Sequence, residues 1–145
     1  RDTVLHDRML AGLYTPLSEE EAVLRSKAIY EILDDAGINI IRVGLKSSDI
    51  MSNETAFHPA FRQLVEGRIA RERMEKQLVE FLQKNKGFSS CVLFMSNEKC
   101  YNNMFGHGAA NRRYFEEKYP QLTLGYAVNP ALRDNEYLLK KGDIK

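Results

Sequence analysis

The sequence has too little charge of one sign to act by global attraction. Twenty-one Lys and Arg face 20 Asp and Glu, a net charge of +1. Strong non-specific nucleic-acid binding needs a basic excess or a clustered patch, so any such role rests on local charge. Long apolar runs are also missing, and no stretch reaches the roughly 20 residues a membrane helix needs. No secretory signal is present, which points to the cytoplasm and to no membrane partner. Cysteine is scarce. Cys91 and Cys100 stand nine positions apart, a spacing of neither a zinc knuckle nor an iron–sulfur ligand set, and they read as two thiols. There is no Walker loop, no G-x-S-x-G, no H-E-x-x-H and no metal-spaced Cys/His set. No catalytic residue and no metal ligand is therefore assigned.

What is there suits one domain or one and a half. At 145 residues, with 43% hydrophobic and 28% charged residues, the chain can bury a core. Val4, Leu5, Met9, Leu10 and Leu13 fall near helical spacing and predict a short helix ending around Gly12. Ser18 with Glu21 forms a capping-box signature, and Ala22, Val23, Ile29, Ile32 and Leu33 continue a helix over 18–36. Gly37 stops it. "INIIRVGL" (38–45) then reads as a strand buried on both faces, as in a parallel sheet. Pro59 opens a long amphipathic helix to about Asn85, whose charge run "RIARERMEK" reads as a solvated face. His58, just before that helix, is placed to cap backbone donors or to meet a neighbouring domain. Beyond Lys86 the pattern becomes strand (88–95), short helix, "GHGA" loop, helix, strand (121–128) and a final strand within 136–144.

Two regions carry candidate chemistry. Arg42 lies in the apolar strand, where a cation cannot be buried cheaply. Ligands of open α/β sheets and barrels gather at the carboxyl ends of strands. Arg42, Gly44 and Lys46 occupy that position; an edge strand with a salt-bridged arginine is the other reading. In the second region, "MFGHGAANRRYF" (104–115), a glycine loop opens into a basic, aromatic helix. Side-chain-free backbone lets a phosphate approach amides at a helix start, with Arg112 and Arg113 adding charge. The other reading is a loop that only turns a corner. Tyr101, Phe105, Tyr114, Phe115 and Tyr119 read as core packing rather than a stacking platform.

The stretch "LHDRMLAGLYTPLSEEEAVLRSKAIYEILDDAGINIIRVGLKSSD", followed by "FHPAFRQLVEGRIARERM", resembles the region after the radical S-adenosylmethionine (SAM) barrel in the Elongator catalytic subunit family. In particular it looks like the bacterial branch known as oxygen-independent coproporphyrinogen oxidase-like. That resemblance implies a parent enzyme with a 4Fe–4S cluster and SAM. The family's CxxxCxxC motif has no counterpart here, so no cofactor is expected in this chain and no activity alone. The chain begins at Arg1 and reads as a piece of a longer protein. "NEKCYNNMFGHGAANRRYFEEKYPQLTLGYAV" resembles the core of a KH-type RNA-binding module, in which a G-x-x-G loop clamps the nucleic-acid backbone. It implies Gly106, His107, Gly108, Asn111, Arg112 and Arg113 as RNA-binding candidates, with Ala109 standing where the second glycine belongs.

The expected architecture is α/β (α+β): the end of a partial TIM-type barrel (1–50), a polar linker and long helix (51–86), and a small KH-like β-α-α-β-β domain (87–145). The expected role is to complete the barrel and position a substrate, with tRNA the candidate. The expected partners are the upstream barrel of the same chain, tRNA, and a second copy through exposed barrel elements. The alternative is a purely structural or self-association domain with no ligand of its own.

Overall fold

The computed structural model describes residues 3–45, 58–86 and 91–142. The chain divides into two compact units, Arg1–Val65 and Glu66–Lys145. The division falls inside the long helix, upstream of the composition change at Lys86.

In the front unit, α1 spans Val4–Leu10, with the Thr3 hydroxyl accepting from the His6 amide. Helix α2 spans Glu19–Asp35 and starts with the expected capping box. The Ser18 Oγ accepts from the Glu21 amide at 3.2 Å, and the Glu21 carboxylate accepts from the Ser18 amide at 3.1 Å. Those Ser18 donors hold the Glu21 carboxyl below its ordinary value. Val23 and Tyr30 are the buried residues of α2. Gly12 and Gly37 both have positive φ after a helix end, the geometry of a glycine stop.

The strand expected over 38–45 does not form. A strand needs a partner for its backbone groups, and among the described residues no neighbouring strand is supplied. Its backbone oxygens turn elsewhere: the Arg62 guanidinium donates to the carbonyls of Ile40 and Ile41 at 3.3 and 3.2 Å. Nor is the segment buried, since Ile41 is 88% exposed. Helix α3 follows at Phe61–Lys84, entered by His58, whose Nδ1 accepts from the Ala60 amide at 3.0 Å.

The back unit has the expected order. After α3 come β1 (Cys91–Ser96), α4 (Tyr101–Phe105), a 3₁₀ turn (His107–Ala109), α5 (Ala110–Lys118), β2 (Thr123–Val128) and β3 (Leu138–Lys141). β1 is the centre of a three-stranded sheet, order β2-β1-β3. It runs parallel to β2 with Phe94 opposite Tyr126, and antiparallel to β3 with Phe94 opposite Leu139. Being central, β1 alternates less than a half-exposed strand: Val92, Phe94, Met95 and Ser96 are all buried. Ala70, Met74 and Leu78 of α3, Met104 of α4 and Phe115 of α5 complete the core with Val92 and Phe94. Each fully buried Phe, Met or Leu here stabilises by about 1.5–3 kcal/mol. The fold is therefore mixed helix and small sheet. No helix among the described residues is long and apolar enough to cross a membrane.

Candidate functional site

The "GHGA" loop is built from unusual backbone. Gly106 ends α4 at φ 72, ψ 168, a region open only to glycine. Gly108 (φ 55, ψ 27) and Ala109 (φ 61, ψ 27) are both left-handed, and the chain then enters α5. The Ala109 amide donates to the Gly106 carbonyl at 3.1 Å. No side chain caps the first turn of α5.

The loop has a packed side and an open side. On the packed side, a Cβ on Gly106 would lie 2.8 Å from Asn111 Cγ, and one on Gly67 of α3 would lie 3.4 Å from Gly106 Cα. Asn111 is buried, and its Nδ2 donates to the carbonyls of Gly67 (2.7 Å) and Asn103 (3.0 Å). One amide thus ties α3, α4 and α5 together beneath the loop. On the open side, His107, Gly108, Arg112 and Arg113 are exposed, and a Cβ on Gly108 would meet nothing within 4 Å. Arg113 donates to the Gly108 carbonyl at 2.6 Å. Arg112 pairs with Glu116 at 2.8 Å, a contact that holds the guanidinium pKa up. Exposed pairs of this kind are weak, being screened by water and salt.

The six candidates of this loop therefore lie together but divide in role. Gly106 and Asn111 are turned into the fold; His107, Gly108, Arg112 and Arg113 face solvent. In the front unit, Arg42 is exposed, so it carries no burial cost to be met by an anion. Gly44 (φ 83) packs on Phe61, whose Cδ1 would be 2.9 Å from an added Cβ. Lys46 lies outside the described residues.

A second polar cluster was not foreseen. The charge run of α3 is no free solvated face, because most of its charged residues are half-buried and several bond to other elements. The Glu75 carboxylate accepts from Tyr114 (2.9 Å), Tyr119 (3.0 Å) and Lys118 (2.6 Å) of the α5 region. Partial burial alone would raise this carboxyl, but those donors outweigh it and hold it below its ordinary value. Burial and the Glu75 charge push the Tyr119 hydroxyl up to about 12. The Arg71 guanidinium sits 4.6 Å from the Tyr114 ring centroid, and Arg73 donates to the Asn135 carbonyl at 2.8 Å. Opposite charges at helical spacing suggest pairs along one surface, and nothing local marks Glu75 as the member that reaches a tyrosine pair.

A third cluster closes the loops at the carboxyl ends of β1 and β2. Asp134 accepts from Asn97 at 2.8 Å and from Lys99. The Lys99 ammonium, then Asn97, hold its carboxyl below the ordinary value. Beside it, the buried Cys100 sulfur accepts from the Asn135 amide at 3.3 Å, and burial pushes that thiol up. A raised, buried thiol is a poor metal ligand and nucleophile. With Cys91 on a separate strand, the chain's own residues do not make an iron–sulfur ligand set.

The geometry defines a small α+β unit with a glycine-loop corner, joined by α3 to a helical front unit. Comparison with known families then places the front: residues 1–71 match the family described as the Radical_SAM C-terminal domain. The matched stretch runs from the start of the chain into α3 and stops before the sheet-bearing part. No curated protein and no solved structure matches the chain.

Proposed function

We propose that this chain is the non-catalytic C-terminal portion of a radical SAM iron–sulfur enzyme of the Elongator-like branch, and that its back unit presents an RNA substrate, with tRNA the leading candidate. Similarity of residues 1–71 to the radical SAM C-terminal domain supports the first part. The cluster and SAM would then be held by the parent's barrel, since the present residues do not fit them. The RNA reading is carried by one observation. An uncapped helix start beneath an open glycine backbone is flanked by two exposed arginines whose present partners are weak. Charge is also uneven along the chain: the unit from Glu66 onward holds fourteen Lys and Arg against ten Asp and Glu. A single-stranded backbone could therefore take Arg112 and Arg113 from Glu116 and the Gly108 carbonyl at small cost. The order strand, helix, glycine loop, helix, strand supports this reading, with Gly108 rather than Gly106 as the point of close approach.

A second reading, a structural or self-association role, is favoured by the apolar side chains the front unit leaves exposed. Leu13, Ile32 and Ile41 are 78%, 69% and 88% exposed, and such surface is normally covered by another element.

The test uses the intact parent enzyme, its cluster reconstituted without oxygen. SAM consumption is followed with and without bulk tRNA, for wild type and for the Arg112→Ala, Arg113→Ala double variant. The proposal expects tRNA to stimulate consumption in wild type and to lose most of that effect in the variant. Equal stimulation of both, or none of either, contradicts the RNA assignment; no SAM consumption under any condition contradicts the radical SAM one.

A further inference from the structure

The three-stranded sheet of the back unit has two edges, and they differ. At the β3 edge the outward backbone groups are taken. The Gly142 amide donates to the Cys91 carbonyl at 2.8 Å, so by alternation Tyr137 and Leu139 turn their backbone groups away from β1. The Gln77 side chain of α3 accepts from the Leu139 amide at 2.9 Å and donates to the Tyr137 carbonyl, as a neighbouring strand would. Lys140 and Lys141 of the same strand are exposed. A capped, lysine-bearing edge does not recruit another strand.

The β2 edge has neither guard. The Asn129 amide donates to the Ser96 carbonyl at 2.8 Å, and Ser96 lies opposite Val128 in the parallel register. By alternation Gly125 and Ala127 turn toward β1, while Leu124, Tyr126 and Val128 turn their N–H and C=O groups outward. Among the described residues no strand or side chain takes those outward groups. No Asp, Glu, Lys or Arg occurs from Tyr119 to Leu132. Val128 leaves its apolar side chain 46% exposed at the end of the strand.

We propose that β2 pairs antiparallel with β2 of a second copy of this chain, across a two-fold axis at Tyr126, making one continuous sheet of the two. The register follows from the outward groups. With Tyr126 opposite its counterpart, Leu124 of each copy lies opposite Val128 of the other, and every outward N–H and C=O finds a partner. An axis at Gly125 would instead set Val128 against Leu122, whose amide already donates to the Tyr119 carbonyl at 3.0 Å. Composition selects the occupant. A strand without charge has no field with which to choose a charged peptide, but it meets itself without opposing like charges. The Leu124–Val128 contact also covers the exposed valine of both copies. Such a pairing is isologous and closes at two copies. It uses neither the glycine loop nor the apolar side chains of the front unit, and it stands apart from the RNA reading.

The test is sedimentation velocity of the full chain without RNA, together with amide exchange resolved to single residues. Small interfaces are weak, so the range runs from about 1 to 500 μM. The proposal predicts a monomer–dimer equilibrium within it. Where dimer reaches about 90%, the Leu124, Tyr126 and Val128 amides should exchange about 10-fold slower than in dilute monomer, with Gly125 and Ala127 slow in both. Val128→Lys puts a charge on the pairing edge and should weaken the dimer about 10-fold or more. Ile32→Lys, on the exposed apolar face of the front unit, should leave it unchanged. The exchange pattern is read on wild type and needs no variant to fold. A monomer throughout overturns the pairing and leaves the edge to some other strand. A dimer whose three outward amides stay fast, or one lost with Ile32→Lys and kept with Val128→Lys, overturns it as well.

Discussion

Gly106 rests against Asn111 so closely that a Cβ on the glycine would lie 2.8 Å from the asparagine Cγ. The asparagine cannot yield, because its amide nitrogen is held by two carbonyls, those of Gly67 and Asn103. The two residues make the inner half of the loop a fixed corner. Whatever the loop touches must come from its outer half, at Gly108.

The glycines should therefore differ sharply. Gly106→Ala combines a backbone region closed to alanine with a clash, and should cost about 3 kcal/mol or more in thermal or urea unfolding. Gly108→Ala meets open space and ordinary left-handed strain, about 1–2 kcal/mol at most. Similar losses for both would contradict the division of the loop into a packed and an open side.

Asn111→Ala should destabilise by about 1–3 kcal/mol, since it deletes two buried hydrogen bonds and leaves a small void. The loss should appear as a lower urea midpoint with an unchanged slope. A variant as stable as wild type would mean that the amide does not tie the three helices.

Glu75 gives a pH signature. Its carboxyl is held below the ordinary 4.5 in the folded state, so its stabilising effect is fully present above that value. It is lost as pH falls through the lowered folded value. In melts at a series of pH values, wild type should lose stability more steeply than Glu75→Gln below about pH 4.5, and the two curves should converge in acid. Parallel curves would show that Lys118, Tyr114 and Tyr119 do not act through the charge.

The back unit was legible because its signals are local. The strands read over 88–95 and 121–128 overlap β1 and β2, and the "GHGA" loop separates two helices as read. The front was legible only as far as its helices: Ser18 and Glu21 announce a capping box whatever surrounds them. "INIIRVGL" has a strand's composition, but a strand is a relation between segments, and among the described residues no second segment answers it. The same limit hid Glu75. A carboxylate in a mixed charge run looks like its neighbours until the fold brings Tyr114 and Tyr119 beside it. Asn111 was noticed for a role at the loop; that its amide points inward depends on the crossing of α3 beneath, which no local pattern encodes.

The measurement that bears most directly on the proposed function is the affinity of this chain for bulk tRNA and for a random single-stranded RNA, titrated from low to moderate salt. Wild type is compared with the Arg112→Ala, Arg113→Ala variant. Two phosphate contacts should appear as a slope of log affinity against log salt that is shallower by about 1.4 in the variant, at roughly 0.7 per single-strand phosphate. Wild type should bind in the micromolar range at low salt and the variant far more weakly. Absence of wild-type binding at low salt, or identical slopes for the two proteins, would contradict the account and leave the glycine loop a structural corner.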